Sequence, residues 1–144
     1  NNNSVTITWN GTGTHTVGIN YANAGGCRAT TATEISVEVY PEPVPALAGQ
    51  DTVCAGATGI AYTTDAGMGS YIWSLSAEAT ITSGGGAGDN TVTVDWAGPG
   101  TGNVSVNYID SHNCSATIPS EMEVELMPVP SSGAIYHIDM NLFP

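Results

Sequence analysis

The sequence lacks lysine altogether, and Arg28 is its one arginine. Against this single basic residue stand 13 acidic ones, so the formal net charge is −12. Proteins that bind nucleic acid rely on lysine and arginine to neutralise phosphates, and anionic membrane surfaces attract basic segments for the same reason. The composition therefore makes both nucleic acid and anionic lipid poor partners for this chain.

Long apolar runs and helical periodicity are also missing. No run approaches the ~20 apolar residues that a membrane-spanning helix needs, and no window of useful length repeats its apolar residues at the helical period. No signal peptide is visible at Asn1, so we expect any export signal to lie outside this sequence or to have been removed. Only 10% of the residues are charged, which favours an extracellular stalk over a cytosolic enzyme. We expect a secreted protein, extracellular or at the cell surface, without membrane insertion.

What the sequence does contain is an internal repeat. Residues 3–43 align without a gap on residues 90–130 at a constant offset of 87, and 18 of the 41 aligned pairs are identical. The identical pairs include Trp9/Trp96, Gly13/Gly100, Val17/Val104, Tyr21/Tyr108, Cys27/Cys114, Val37/Val124 and Pro41/Pro128. Self-similarity at a fixed spacing indicates repeated structural units. We therefore predict half a repeat at residues 1–43, with a complete repeat at 44–130 and an extended tail at 131–144.

Apolar and polar residues alternate along the repeat, as expected for strands with one buried face. In the half repeat the alternating apolar residues are Val5, Ile7 and Trp9, then Val17, Ile19 and Tyr21, then Ile35, Val37 and Val39. These segments predict three strands. The complete repeat adds strand patterns upstream, at 59–63, 70–76 and 79–82. About seven short strands in one repeat predict an all-β fold, an immunoglobulin-like antiparallel β-sandwich present as about one and a half tandem repeats.

Three cysteines occur in the chain, and two of them lie in the complete repeat. In an exported sandwich, a disulfide between Cys54 and Cys114 is the natural interpretation. Cys27 is the repeat equivalent of Cys114, so its predicted partner belongs to upstream chain or to another molecule. The alternative, a metal site or a nucleophile, lacks both CxxC spacing and an organised histidine.

The complete repeat resembles the PKD-like, immunoglobulin-type repeats of very large Bacteroidetes surface proteins. The residues that carry this resemblance are Asp51-Thr-Val-Cys-Ala-Gly56, Tyr71-Ile-Trp73, Asn90 to Trp96, Gly102 to Val106, Cys114 and Val124 to Pro128. The resemblance implies an adhesin or gliding-associated protein exported by type IX secretion. The ending Asn141-Leu-Phe-Pro144 is similar to the start of the sorting domain that such proteins carry. Asp51-Thr52-Val53 is similar to the Bacteroidetes O-glycosylation motif, with Thr52 as acceptor.

The half repeat and the tail raise a question of assembly. Three strands alone would leave an apolar face without an opposing sheet, which is not stable in water, so either upstream chain or another subunit is expected to complete it. The tail alternates again, with Ala134, Tyr136, Ile138, Met140 and Leu142 on one face. We predict either a strand donated to the half repeat of a neighbouring chain or the first strand of a following domain. We expect the chain to associate with itself or with neighbouring repeats of the same protein.

Residues with catalytic chemistry show no organised pattern. His15, His112 and His137 are scattered, and no histidine accompanies a candidate nucleophile. No catalytic site and no cofactor are predicted, although Asp65, Asp89, Asp95 and Asp110 lie near loops and could supply oxygens to Ca²⁺. The leading hypothesis is a non-enzymatic structural repeat of an adhesin or extracellular filament. The alternative is a carbohydrate-binding accessory module of a secreted hydrolase, for which Trp9, Trp73 and Trp96 would have to be exposed.

Overall fold

A computed structural model describes residues 3–132 of the chain. The chain divides into two compact units, Asn1–Pro43 and Val44–Pro144, which we call the first and second unit. The described residues form nine strands and no helix. The strands are β1 (Gly13–Ile19), β2 (Thr33–Val39), β3 (Thr52–Cys54), β4 (Ile60–Thr63), β5 (Ser70–Leu75), β6 (Ala79–Gly84), β7 (Thr91–Trp96), β8 (Gly100–Ile109) and β9 (Ser120–Met127).

The second unit is built from two sheets. One has four strands in the order β3-β9-β8-β5, and the other has three strands in the order β4-β7-β6. The β3–β9 pair is parallel, and every other pair in these sheets is antiparallel. Seven strands arranged in this way form an immunoglobulin-like sandwich. The all-β, immunoglobulin-like fold predicted from the sequence is confirmed.

The core of the second unit lies between the two sheets and is formed by alternate residues of each strand. Its most deeply buried side chains are Tyr62, Val92, Val94, Trp96, Val104, Val106, Val124 and Leu126. Because side chains of a strand alternate between faces, this spacing of two follows directly from the sequence pattern. Within the β4-β7-β6 sheet, Nε1 of Trp96 donates to the hydroxyl of Tyr62, 3.2 Å away, and that hydroxyl donates to the carbonyl of Gln50.

The chain enters and leaves the second unit at opposite ends of β9. At the beginning of β9, the hydroxyl of Ser120 donates to the carbonyl of Pro45. At the end of β9, the amide of Ala55 donates to the carbonyl of Met127 over 2.8 Å. An eight-residue strand separates these two points by roughly 23 Å. The chain therefore enters the second unit at one end of the sandwich and leaves it at the other.

The first unit consists of the antiparallel hairpin β1–β2 and the segment that precedes it. The strand predicted at Val5 to Trp9 is not formed there. Its repeat equivalent, β7, is the central strand of a sheet and pairs with both β4 and β6. Residues 3–43 contain no counterpart of β4 or β6, so the segment has no neighbour to hydrogen-bond with. Two of the three predicted strands are thus present.

The predicted disulfide between Cys54 and Cys114 is not found, since Cys27, Cys54 and Cys114 are all free thiols. Cys54 is paired with Met127 at the end of β9, whereas Cys114 lies in the loop between β8 and β9, before β9 begins. The length of β9 therefore separates the two cysteines, and a disulfide requires Cα atoms within about 7 Å of each other. The strand register explains why the two cysteines of the repeat do not pair.

Candidate functional site: the open face of the first unit

The hairpin of the first unit and the hairpin β8–β9 of the second pair their strands in the same register. Gly13 pairs with Val39 and Ile19 with Thr33 in the first unit. Adding 87 to each number gives the observed pairs of the second unit, Gly100 with Leu126 and Val106 with Ser120. The repeat seen in the sequence is therefore also a repeat of hydrogen-bond register.

The loop that follows the first strand of each hairpin is conserved in detail as well. In the first unit, Oδ1 of Asn23 accepts from the amides of Gly25 and Cys27, each at 3.0 Å. In the second unit, Oδ1 of Asp110 accepts from the amides of His112 and Cys114, at 2.8 and 2.9 Å. Asparagine and aspartate serve equally because the loop needs one acceptor oxygen at this position.

Burial is where the two hairpins differ. Ile19 is 61% exposed and its equivalent Val106 is 0% exposed, while Tyr21 is 76% exposed and its equivalent Tyr108 is 4% exposed. In the second unit, β4 and β7 cover this side of β8–β9. We define the open face as Val17, Ile19 and Ile35, with Val5 beside them. A groove of about 450 Å³ lies along it.

The backbone edge of β1 is unpaired on its outer side within the described residues. In the second unit, β5 occupies the corresponding edge of β8, with Tyr71 opposite Tyr108, Trp73 opposite Val106 and Leu75 opposite Val104. The first unit has β2 on one side of β1 and no described strand on the other. It therefore presents a free strand edge together with an uncovered apolar face.

His15 makes the first unit different from a simple copy of the second. Its repeat equivalent is Gly102, against which the indole of Trp96 packs so closely that a Cβ atom would lie 2.2 Å from Cζ3. The first unit carries an imidazole at this position, and the ring centroid of His15 is 4.9 Å from that of Trp9. The Trp9–His15 ring contact thus stands where the second unit has the contact between Trp96 and Gly102. The gapless alignment contains the mismatch between Gly102 and His15, but the ring that packs on Gly102 is visible only in the structure.

The three tryptophans do not form an exposed aromatic row. Trp96 is buried in the core, Trp73 packs partly buried against that core and donates from Nε1 to the carbonyl of Asp89 at 2.9 Å, and Trp9 lies half-buried beside His15. Two of the three thus have roles in packing the second unit.

The four aspartates considered for calcium each hold a separate loop. Asp65 accepts from the amide of Ala46 and the hydroxyl of Tyr108. Asp89 accepts from the amide of Gly86, and Asp95 accepts from that of Gly59. The pKa of Asp110 lies below its usual value, chiefly because of the amide of Cys114. Within residues 3–132, no three histidine, cysteine, aspartate or glutamate side chains come together in a way that could hold a metal ion.

The remaining predicted site residues lie apart from the open face. Thr52 is exposed at the start of β3, and its hydroxyl is 3.3 Å from Oδ1 of Asp51. Burial raises the pKa of Tyr62 above its usual value, in keeping with its place in the core. The tail residues Ala134, Tyr136, Ile138, Met140 and Leu142 lie outside the described residues. No helix in the described part of the chain is long and apolar enough to cross a membrane.

Comparison with known proteins assigns the family. The sequence profile of the PKD-like domain matches residues 40–124, which is more than half of the chain. The chain belongs to the PKD-like domain family. Among solved structures, the PKD-like chain is similar to the fibronectin(III)-like modules of CbhA from Clostridium thermocellum, with 18% identity and a TM-score of 0.43 over 92% of this chain and 72% of that one. No curated protein sequence matches it.

Proposed function

We propose that this PKD-like chain is a structural repeat of a secreted cell-surface adhesin or extracellular filament. It acts by assembly and by rigid display, and it is not an enzyme. The observation that carries this proposal is the open face: the same hairpin is buried in one unit and uncovered in the other. A contiguous exposed apolar surface beside a free strand edge is typical of a protein–protein contact.

The use of the polar residues supports a structural role. Asp65, Asp89 and Asp95 each accept a hydrogen bond from a backbone amide through a carboxylate oxygen. These side chains therefore hold loops in place. Pro41-Glu-Pro-Val-Pro45 connects the two units, and a proline-rich segment of this kind is extended and semi-rigid. Because the chain enters and leaves the second unit at opposite ends, the unit is suited to spanning a distance.

An extracellular location fits the composition, which combines a charge of −12 with few charged residues overall. Type IX secretion and a Bacteroidetes-type surface protein are part of this proposal and rest on the resemblance of the repeat. O-glycosylation at Thr52 belongs to it as well, because the hydroxyl is exposed. Intact mass spectrometry of protein purified from its native host tests the modification, and Ser76, which is not in the motif, provides an unmodified comparison.

The alternative, a carbohydrate-binding accessory module of a secreted hydrolase, requires aromatic rings exposed along one surface. The burial of Trp96 and the partial burial of Trp73 count against it. A glycan array probed with the full chain discriminates the two functions. Selective binding that is lost in Trp9→Ala would favour the carbohydrate module.

The experiment for assembly is sedimentation velocity of the full chain over a wide concentration range, followed by electron microscopy. We expect species that grow with concentration and form elongated particles. A chain that stays monomeric at the highest concentration tested would overturn the proposal. The variant Ile35→Asp, which places a charge on the open face, should shift the chain towards monomer, whereas Ser36→Asp on the opposite face should not.

A further inference from the structure

We infer that Asn10 is a site of spontaneous covalent modification, at which ring closure with Gly11 converts the side-chain amide into an acid. Asn10-Gly11 is the one asparagine–glycine pair in the sequence. Both residues are exposed, and they lie in the loop that leads into β1. The modification is independent of the proposed function, because it needs neither a partner nor an enzyme.

The reaction involves one peptide bond and one molecule of water. The backbone nitrogen of Gly11 loses its proton and attacks Cγ of Asn10, so a new C–N bond forms. The bond from Cγ to the side-chain nitrogen breaks, and ammonia leaves. Water then opens the cyclic imide at either of its two carbonyls. One opening gives aspartate, and the other gives isoaspartate, in which the backbone runs through the former side chain.

The residue after the asparagine controls how easily the ring closes. Its backbone nitrogen must approach the asparagine side chain, and a side chain of its own would hinder that approach. Gly11 has none, and a Cβ atom added there would meet no atom within 4 Å beyond its chain neighbours in the described part of the molecule. Glycine also has the widest choice of backbone conformations. The loop can therefore bend into the ring geometry without displacing a neighbour.

Several asparagines elsewhere in the chain are held by their side-chain amides. Nδ2 donates to a backbone carbonyl at 3.0 Å in Asn20, at 3.3 Å in Asn90 and at 2.8 Å in Asn107. Oδ1 of Asn23 accepts from two backbone amides. The side chain of Asn10, in contrast, makes no hydrogen bond within residues 3–132. It is therefore free to rotate towards the nitrogen of Gly11.

The exposure of this loop belongs to the fold of the repeat. The equivalent residues of the second unit, Ala97 and Gly98, lie between β7 and β8 and are also exposed. There β7 is flanked by both β4 and β6, and the loop still faces solvent. Alanine carries no amide, so the reactive pair is specific to the first unit.

The products change the surroundings of one histidine. Nε2 of His15 lies 3.0 Å from the carbonyl oxygen of Gly11, and the ring of His15 is 4.9 Å from that of Trp9. Aspartate and isoaspartate each add a negative charge next to Gly11, and isoaspartate also lengthens the backbone there. We expect the imidazole resonances of His15 to shift on modification, whereas those of His112, which lies in the second unit, should not.

The test incubates the freshly purified full chain in mildly alkaline buffer and follows each asparagine by peptide mapping with mass spectrometry. We expect the peptide that contains Asn10 to gain the mass of an amide-to-acid conversion and to become a substrate for protein isoaspartyl methyltransferase. Conversion should be slower in mildly acidic buffer, because the attacking nitrogen must lose a proton. Asn23, which is held by hydrogen bonds, and Asn113, which precedes Cys114, should stay intact over the same period.

A pair of variants isolates the role of the glycine. Gly11→Val should slow conversion at Asn10 by at least about tenfold, because a branched side chain hinders the approach of the nitrogen. Gly98→Val, the equivalent change in the second unit, should leave the rate at Asn10 unchanged. Equal rates in Gly11→Val and the parent chain would overturn the inference. So would conversion of Asn10 in urea but not in the folded chain, and so would faster conversion at Asn113 than at Asn10.

Discussion

The indole of Trp96 packs directly on the backbone of Gly102, where a side chain of any size would collide with it. An added Cβ atom would lie 2.2 Å from Cζ3 and 2.7 Å from Cη2 of the ring. The first unit replaces this pair with Trp9 and His15, whose rings lie side by side. The buried Trp96 and the half-buried Trp9 therefore meet different residues at equivalent positions, a glycine in the second unit and a histidine in the first.

Gly102→Ala tests this relationship. We expect a loss of about 2 kcal/mol in the free energy of unfolding of the second unit, because overpacking a filled core forces the ring or the backbone to move. Urea unfolding followed by tryptophan fluorescence gives the value. Gly98→Ala is the matched control, since a Cβ atom there meets nothing within 4 Å. Equal stability of the two variants would contradict the packing described.

Burial in one unit and exposure in the other predict opposite effects at equivalent positions. Val106→Ala should lower the free energy of unfolding of the second unit by about 2 kcal/mol, because it removes two buried methyl groups and leaves a cavity. Ile19→Ala, at the equivalent position, should change stability by less than about 0.5 kcal/mol in dilute, unassembled protein. The comparison is made by urea denaturation at low concentration. A large loss from Ile19→Ala would mean that the open face is already covered in the monomer.

The lowered pKa of Asp110 predicts how the stability of the folded chain depends on pH. Its pKa is lowered in the folded chain, first by the amide of Cys114 and then by His112. A carboxyl group with a lowered folded pKa contributes stability that is complete above its ordinary value and is lost as the pH falls through the folded pKa. Asp110→Asn keeps the acceptor oxygen, as Asn23 does in the first unit, but cannot titrate. Between about pH 5 and about pH 2, the urea midpoint of Asp110→Asn should therefore fall less than that of the parent. Parallel curves would contradict this assignment.

The three thiols provide a test of the register. Alkylation in denaturant without reductant should label Cys27, Cys54 and Cys114 in protein purified under non-reducing conditions. The physical reason is the length of β9 between Cys54 and Cys114, which exceeds the reach of a disulfide. Peptide mapping by mass spectrometry identifies the labelled residues. A peptide linked between Cys54 and Cys114 would show that the sheet register is different from that described here.

The sequence predicted the sandwich because its information is local and periodic. Val92, Val94 and Trp96 alternate with polar residues, and alternation with one apolar face leaves few possible folds. The offset of 87 carried over to the hairpin pairing because the two copies align without a gap, so the number of residues between paired positions is the same in both hairpins. Those features depend on residues close together in the sequence, so they can be recognised without a structure.

What the sequence did not predict depends on contacts between distant segments. Val5, Ile7 and Trp9 have a strand pattern but form no strand, because pairing requires partners that residues 3–43 do not supply. The disulfide between Cys54 and Cys114 was predicted because an exported repeat contains two cysteines. Their separation follows from the pairing of β3 with β9, which only the structure shows. The significance of His15 required knowing that a ring sits on Gly102. In each case the missing information was the identity of a neighbour in space.

The parallel pairing of β3 with β9 has a mechanical consequence. The chain enters the second unit at one end of β9 and leaves at the other, so tension on the two ends draws β3 and β9 in opposite directions along their shared axis. The bonds that join them, from the amide of Glu125 to the carbonyl of Asp51 and from the amide of Ala55 to the carbonyl of Met127, are then loaded together in shear. They must break at once instead of opening one after another. A series of such units joined end to end would resist stretching at every link.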